Sequence, residues 1–309
     1  MWNNKTIEWI DVELTSFCNI KCPGCLRQIK NDKVSNILNK DILRFEDLKR
    51  WISRDELPNL KLINFCGSID EPTLHPEILD ITEYFSKICE INIASNGSTK
   101  NTYFWEKLGS LGISVFFGID GIDQASLEKY RIGSNFEKIK KNFKSFIRAG
   151  GKATWQFIVF EHNEEHLETA KQISKDEGFV NFRTIYSHRI GSNESKKKIR
   201  KGKKYIKCKY GNQNRVFLNH TGALIPCCFL NSESLELHSS NNVKSSFGKK
   251  YLEFGQVLSN NLKYNSISEV LDGQLFDYVK KSWITTPVEK CLQTCKQEKR
   301  DIFIDEDLK

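Results

Sequence analysis

Cys18, Cys22 and Cys25 lie in the run Leu14-Thr-Ser-Phe-Cys18-Asn-Ile-Lys-Cys22-Pro-Gly-Cys25, three thiols spaced Cys-x3-Cys-x2-Cys. An iron-sulfur cubane has four irons and is closed by four thiolates, so three cysteines leave one iron open to a small molecule. On a helix the same offsets would stack the thiols on one face as packed apolar residues. Pro23 and Gly24 argue against that helix, because proline removes a hydrogen bond and glycine weakens the turn beside it. Four-coordinate zinc would need a fourth ligand, and the next candidates, Cys66 and His75, are far along the chain. The open-cluster reading is therefore preferred.

A second group of residues follows the apolar run Leu60 to Phe65, in Cys66-Gly67-Ser68-Ile69-Asp70-Glu71-Pro72. Together with the triad it resembles the radical S-adenosylmethionine (SAM) enzymes. In that family the amino and carboxylate groups of SAM chelate the open iron, and an electron from the cluster cleaves SAM to a 5'-deoxyadenosyl radical. The segment from Gly67 to Glu71 is similar to the family's Gly-Gly-Glu-Pro motif, which holds the SAM amino group. Glu71 and Pro72 align with it, and Ile69-Asp70 stand where two glycines are usual. Gly24 stands where the family carries an aromatic residue near the adenine.

These groups need a scaffold. Ile7 to Leu14, Leu60 to Phe65, Ile91 to Ser95, Ile113 to Ile119, Ala153 to Phe160 and Phe179 to Ile185 read as strands. Phe45 to Leu57, Pro76 to Cys89, Tyr103 to Leu111, Phe136 to Ala149 and Glu164 to Glu177 read as amphipathic helices between them. The alternation predicts an α/β fold with a parallel sheet, most economically an open partial (β/α)6 barrel of TIM-like type, which is also the core fold of the family resembled. Reactive groups gather at the carboxyl ends of such strands, where Cys18, Glu71, Ser95, Asn96 and Asp120 fall. Ser95-Asn96-Gly97 and Asp120-Gly121 suit a ribose or an amino acid moiety, although both are also common turn dipeptides. Arg131, in Tyr130-Arg131-Ile132-Gly133, resembles the arginine that pairs with the SAM carboxylate, and a guanidinium suits that fork.

A further cysteine set begins where the core is expected to end, dividing the chain into residues 1–200 and a small α+β, cysteine-rich module over 201–309. Cys208, Cys227, Cys291 and Cys295 can saturate a second cubane, with Cys227 after a hairpin through His220-Thr221-Gly222 and the final pair after a helix over Ile267 to Trp283. The arrangement resembles the Twitch module, the shortened SPASM extension carrying one auxiliary [4Fe-4S] cluster. Cys228 is read as a packed thiol, since adjacent residues rarely face one metal. A structural zinc is the alternative for the four-thiolate site. Cys66 and Cys89 are read as core residues.

His162-Asn-Glu-Glu-His166 matches an inverted zinc-protease pattern. The strand ends near Phe160 and Asn163 reads as a helix N-cap, which leaves His162 outside the helix.

With 309 residues the chain can bury a large core, and ten cysteines without a signal peptide, apolar anchor or disulfide-scaffold pattern point to a reducing cytoplasm. Net charge is +8, concentrated in Lys196 to Lys204. That run lacks interleaved aromatics for base stacking, so nucleic acid is disfavoured as a partner and a solvated linker or a peptide-docking surface is preferred. The expected activity is SAM cleavage followed by hydrogen abstraction, with the auxiliary cluster relaying an electron in oxidation of a small molecule. Modification of a peptide is the alternative, and a zinc- or cluster-stabilised nucleic-acid binding protein is the alternative of another class. A flavodoxin or ferredoxin is the expected reductant. Ser- and Asn-rich Asn231 to Gly248 is read as a substrate lid.

Overall fold

The computed structural model describes residues 2–27, 41–186, 206–236, 245–254 and 256–295. In chain order its elements are β1 (Trp9–Val12), α1 (Phe45–Trp51), β2 (Leu62–Phe65), α2 (Ile78–Ser86), β3 (Glu90–Ser95), α3 (Thr102–Ser110), β4 (Ser114–Gly118), α4 (Gln124–Glu128), α5 (Phe136–Arg148), β5 (Lys152–Val159), α6 (Leu167–Asp176) and β6 (Asn181–Tyr186). They continue as α7 (Lys209–Asn212), β7 (Arg215–Leu218), β8 (Leu224–Ile225), α8 (Cys228–Glu236), α9 (Ser246–Glu253), α10 (Gln256–Ser259), α11 (Ile267–Leu271), α12 (Gln274–Ser282) and α13 (Glu289–Thr294). The six strands and intervening helices predicted from periodicity are present; β1, β2, β4 and β6 are shorter than expected, β3 is one residue longer and β5 is shifted by one.

Two compact units emerge. The first gathers the described residues between 1 and 16, between 36 and 68 and between 200 and 299. Its strands run in the order β2-β1-β7-β8. β1 is parallel to β2, pairing Asp11 with Asn64, and parallel to β7 on its other edge, pairing Asp11 with Phe217. β7 and β8 are antiparallel, the hairpin expected around His220-Thr221-Gly222. Period-two alternation sends Ile10 and Val12 to one face of β1 and Trp9 and Asp11 to the other. Trp2 closes this unit at its base, donating its indole N–H to the Arg215 carbonyl at 2.7 Å and packing edge-on against Phe276. The single helix expected over Ile267 to Trp283 is two helices, α11 and α12. α11 begins in a capping box between Ser266 and Glu269, and the chain breaks at Gly273, a poor helix former that serves as the N-cap of α12.

The second unit gathers the described residues between 17 and 35 and between 69 and 199. Its strands run β3-β4-β5-β6, all parallel. Parallel strands need crossovers, and α3, α5 and α6 supply them. α5 shows why the sequence folds this way: Ile139, Phe143 and Phe146 are buried at helical spacing while Lys138, Lys140, Lys141 and Lys144 take the other face. Burying each phenylalanine contributes about 2–3 kcal/mol. Asn142 on the buried face is a deliberate exception, because its Nδ2 donates to the carbonyls of Gly97 at 2.8 Å and Thr99 at 3.0 Å and so anchors the loop after β3. The fold is therefore α/β with parallel strands, and in neither unit does the run of strands close on itself.

The run Lys196 to Lys204 lies outside the described residues. Asn231 to Gly248, expected as a lid, is helical at both ends, within α8 and α9, and residues 237–244 lie outside the described residues. No helix among the described residues is long and apolar enough to cross a membrane.

Candidate functional site

The cysteine triad sits in an extended loop with a turn at Pro23-Gly24, as the proline predicts. Backbone bonds pin it from several directions. The Phe17 carbonyl accepts the Glu71 N–H at 2.7 Å, the Ile132 carbonyl accepts the Lys21 N–H at 2.9 Å, and Cys22 accepts from Cys25 at 3.0 Å. Asn19 donates its side-chain amide to Ser98 Oγ at 2.9 Å, and Arg27 donates to the Ile69 carbonyl at 3.3 Å. The three thiols are half-buried and take part in no disulfide among the described residues. Burial pushes the Cys18 thiol up to about 12, helped by the charge of Glu71 and by Cys22 and Cys25. Cys22 and Cys25 are thus electrostatic neighbours of Cys18.

Asn96, at the end of β3, turns its Nδ2 toward this loop, donating to Asn19 Oδ1 at 2.9 Å with Cys18 Sγ 4.0 Å away. Behind it lies Glu71, fully buried. Its Oε1 accepts from Ser95 Oγ at 2.7 Å, from Thr73 Oγ1 at 2.6 Å and from the Thr73 N–H at 3.3 Å, and its Oε2 accepts from the Asn96 N–H at 2.7 Å. Burial raises the carboxyl pKa, and these donors offset only part of the shift. With both oxygens occupied by the chain, Glu71 locks the end of β3 to the turn at residues 72–74. Gly67 lies after β2 at φ +56°, a left-handed conformation glycine adopts without strain.

Asp120 and Arg131 form a buried ion pair, Nε donating to Oδ2 at 2.7 Å, while Asp120 Oδ1 accepts the Ile158 N–H at 2.7 Å. Burial alone would lower the arginine pKa, but Asp120 and then Cys22 outweigh it and the net shift is upward. The guanidinium lies over Gly118, where an added Cβ would come within 2.5 Å of Nη2. Beside Cys22 stands an apolar wall of Tyr130, Ile158 and Phe160, and the Tyr130 and Phe160 rings lie 4.2 Å apart.

In the other unit, Cys208, Cys227 and Cys291 are buried and Cys295 half-buried. Burial is the largest cause of each raised thiol pKa, about 11 at Cys208 and about 12 at Cys291. Cys295 and Cys208 add to the shift at Cys291, Cys295 adds to that at Cys208, and Cys228, then Cys208 and Cys291, add to that at Cys227. The four thiols therefore form one electrostatic group. Cys208 caps α7, accepting the Gly211 N–H at 3.3 Å. Cys228 faces elsewhere, toward Asp11, Tyr210 and Arg215. Among the described residues no three His, Cys, Asp or Glu side chains close up around the position of a single metal ion.

A family profile, that of the Radical SAM superfamily, matches residues 12–173. The chain belongs to the radical SAM superfamily. A tungsten-containing aldehyde ferredoxin oxidoreductase cofactor-modifying protein of Pyrococcus furiosus is 30% identical over 141 residues, 44% of this chain and 38% of that protein. A probable GTP 3',8-cyclase of Methanococcus maripaludis is 24% identical over 142 residues, 45% of each chain. The matched region thus spans less than half the length of these curated relatives. Among solved structures, native anSMEcpe with bound AdoMet superposes with a TM-score of 0.61 at 14% identity, covering 94% of this chain and 86% of that one. Streptococcus suis SuiB bound to S-adenosylmethionine gives 0.56 at 14% identity, covering 93% and 77%. At such identity the likeness shows the fold.

In this radical SAM chain the structure brings Cys18, Cys22, Cys25, Glu71, Ser95, Asn96, Asp120 and Arg131 into one unit, linked by the bonds above. Sequence reasoning missed Asn19 and Ser98, whose side chains tie the triad loop to the end of β3, and the wall of Tyr130, Ile158 and Phe160. Only three-dimensional register reveals these. Asn163, expected as a helix cap, makes no cap bond. Its side chain turns inward, donating to the carbonyls of Asp120 at 2.8 Å and Ile158 at 3.0 Å, because the chain after β5 must bury those carbonyls with a partner. His162 stacks on Phe160 at 5.3 Å and lies outside the helix, and His166 is the residue before α6, so the protease-like pattern forms no shared helical face.

Proposed function

We propose that Cys18, Cys22 and Cys25 hold a [4Fe-4S] cluster whose open iron binds SAM, and that Cys208, Cys227, Cys291 and Cys295 hold an auxiliary [4Fe-4S] cluster, in an enzyme that oxidises a small molecule. The observation that carries this reading is the pinned three-thiol loop with the Arg131 guanidinium beside Cys22 and the Asn96 amide beside Cys18. When bound, the first cluster supplies the electron that cleaves SAM to a 5'-deoxyadenosyl radical.

The chain's own residues bind and orient. Arg131, held through Nε by Asp120, keeps its Nη1 and Nη2 free of hydrogen bonds to the described residues and available to a carboxylate fork. Tyr130, Ile158 and Phe160 give an apolar surface for the adenine, which suits a chain with Gly24 in place of an aromatic. Ser95 and Asn96 present polar atoms at the end of β3, fixed by Glu71. For the second site, ligation at about 2.3 Å would draw zinc thiolates to within roughly 4 Å of one another, whereas a cubane spreads them over separate irons. The electrostatic coupling among Cys208, Cys227, Cys291 and Cys295 supports a saturated four-thiolate site.

The Pyrococcus furiosus relative, described as cofactor-modifying, supports a small-molecule substrate. Peptide modification is the second reading, supported by neighbours solved with peptides, SuiB with SuiA and anSMEcpe with Cp18Cys peptide. A soluble electron-transfer protein such as flavodoxin or ferredoxin would reduce the first cluster.

The test is iron and acid-labile sulfide per chain after anaerobic reconstitution, with 5'-deoxyadenosine formation on adding SAM and dithionite. About eight irons should fall to about four in Cys18→Ala/Cys22→Ala/Cys25→Ala, with loss of SAM cleavage. Zinc without sulfide, or iron indifferent to the triple substitution, would refute the assignment.

A further inference from the structure

The first unit buries a second polar group that the SAM reading leaves unused. Glu13, the residue after β1, is fully buried. Its Oε2 meets Nδ1 of His220 at 3.0 Å, and its Oε1 accepts from Ser68 Oγ and from Asn231 Nδ2, the latter at 3.3 Å. Asn231 lies on α8, and its backbone N–H donates to the carbonyl of Cys227 at 3.2 Å. Its side-chain oxygen accepts from Asn219 at 3.2 Å. Asn231 therefore is fixed by its backbone to Cys227, four residues before it, and holds Glu13, the partner of His220, with its side-chain amide.

A carboxylate on Nδ1 fixes the imidazole as the Nδ1–H tautomer when it is neutral, which leaves the Nε2 lone pair as the proton acceptor. No hydrogen bond to Nε2 occurs among the described residues. The other ionisable groups near α8 cannot take up a proton as readily. Asp11 is saturated by Arg215, at 2.7 and 2.8 Å, by Asn64 at 2.7 Å and by the Tyr210 hydroxyl. Burial raises Tyr210 far above neutrality and pushes the Cys228 thiol up to about 11, so both already carry their protons. Arg215 is a permanent cation, and Glu233 on α8 faces Cys291. Adding an electron to the four-thiolate group would place another negative charge in a poorly screened interior.

We infer that the buried His220–Glu13 pair takes up a proton when the four-cysteine site is reduced, so that this unit stores one electron and one proton together. The inference rests on the auxiliary-cluster reading. The balance is one electron from the substrate radical of the proposed reaction, or from dithionite in the test, onto the cluster and one solvent proton onto the pair, with the titration belonging to the pair as a unit. Glu13 stabilises the resulting imidazolium, and Asn231, four residues after Cys227, holds Glu13 in place.

The experiment uses the full chain carrying Cys18→Ala/Cys22→Ala/Cys25→Ala, reconstituted anaerobically so that only the second site is loaded. The potential is followed by electron paramagnetic resonance at pH 6.5 to 8.5, with iron and sulfide measured in every sample. If reduction takes up one proton, the reduced-to-oxidised ratio at fixed potential falls about tenfold per pH unit, equivalent to about 59 mV for a one-electron couple. His220→Gln should flatten this slope, and Glu13→Gln should move it to lower pH, with four irons retained in each. A potential that does not move with pH, or a slope that survives His220→Gln, overturns the inference. A chain that takes up no iron at this site instead overturns the auxiliary-cluster reading, and the metal count separates the two failures.

Discussion

Arg131 and Asp120 face one another with Nε to Oδ2 at 2.7 Å, the carboxylate wholly buried and its second oxygen held by the Ile158 N–H. The pair is a positioning device as much as an ion pair, because it fixes a guanidinium beside Cys22 with its outer edge unbonded to any of the described residues. Removing one partner of a buried pair leaves an uncompensated charge, typically at a cost of about 3–5 kcal/mol. Asp120→Ala should therefore lower the chemical-denaturation stability of the chain by about that amount. Arg131→Lys keeps the charge but not the planar fork, and should weaken SAM binding about tenfold or more by equilibrium titration of the reconstituted chain. Unchanged binding in Arg131→Lys would remove the arginine from the cofactor site.

Gly118 offers a gentler probe of the same geometry. A methyl group there would reach within 2.5 Å of Nη2 and 2.8 Å of the guanidinium carbon, so the side chain must swing away. Gly118→Ala should weaken SAM binding in the manner of Arg131→Lys while lowering stability less than Asp120→Ala, as titration and denaturation on one preparation would show. A variant that binds SAM like the wild type would mean that the guanidinium position does not matter.

Much of this was legible in the residues. Pro23 and Gly24 kept the triad out of a helix, and strand periodicity located β1 to β6 because half-buried parallel strands have short, dense apolar runs. β7 shows where that logic stops. Its four residues pair in parallel with β1 although some two hundred residues separate them in sequence, and no local pattern encodes such a partner. Glu13 and His220 are a consequence of that pairing, since register alone brings the residues after the two strands together. His220 read as part of a hairpin turn, and Glu13 fell inside the strand expected over Ile7 to Leu14 with nothing to single it out. Asn163 misled for a related reason, because a side chain able to cap a helix can also serve buried carbonyls, and only packing decides between them.

The two adjacent cysteines of the second unit can be told apart by substitution. Beyond its neighbour Cys228, Cys227 shares its electrostatic surroundings with Cys208 and Cys291, whereas Cys228 feels Asp11 and Arg215. Cys228→Ser should leave about eight irons per chain after reconstitution, and Cys227→Ala should leave about four. Loss of iron in the serine variant would make Cys228 a ligand and reassign the site.

Thiol burial also fixes the sign of a pH effect. In the metal-free chain Cys18 and Cys291 are pushed up to about 12, and Cys208 and Cys228 to about 11, from an ordinary thiol value of 9.0. Between about pH 9 and 12 the folded chain holds these protons while the unfolded chain has released them, so the folded state binds more protons. Stability must then fall as pH rises through that window and be unaffected by these groups below it. Loading a cluster reverses the preference, because ligation requires thiolates and expels roughly one proton per cysteine. The denaturation midpoint of the apo chain should therefore drop as pH rises from about 9, and the loaded chain should resist that drop. Reconstitution in weak buffer near pH 8 should acidify the solution in proportion to the iron bound. Loaded and apo chains losing stability in parallel over this range would show that the buried thiols are not the ligands.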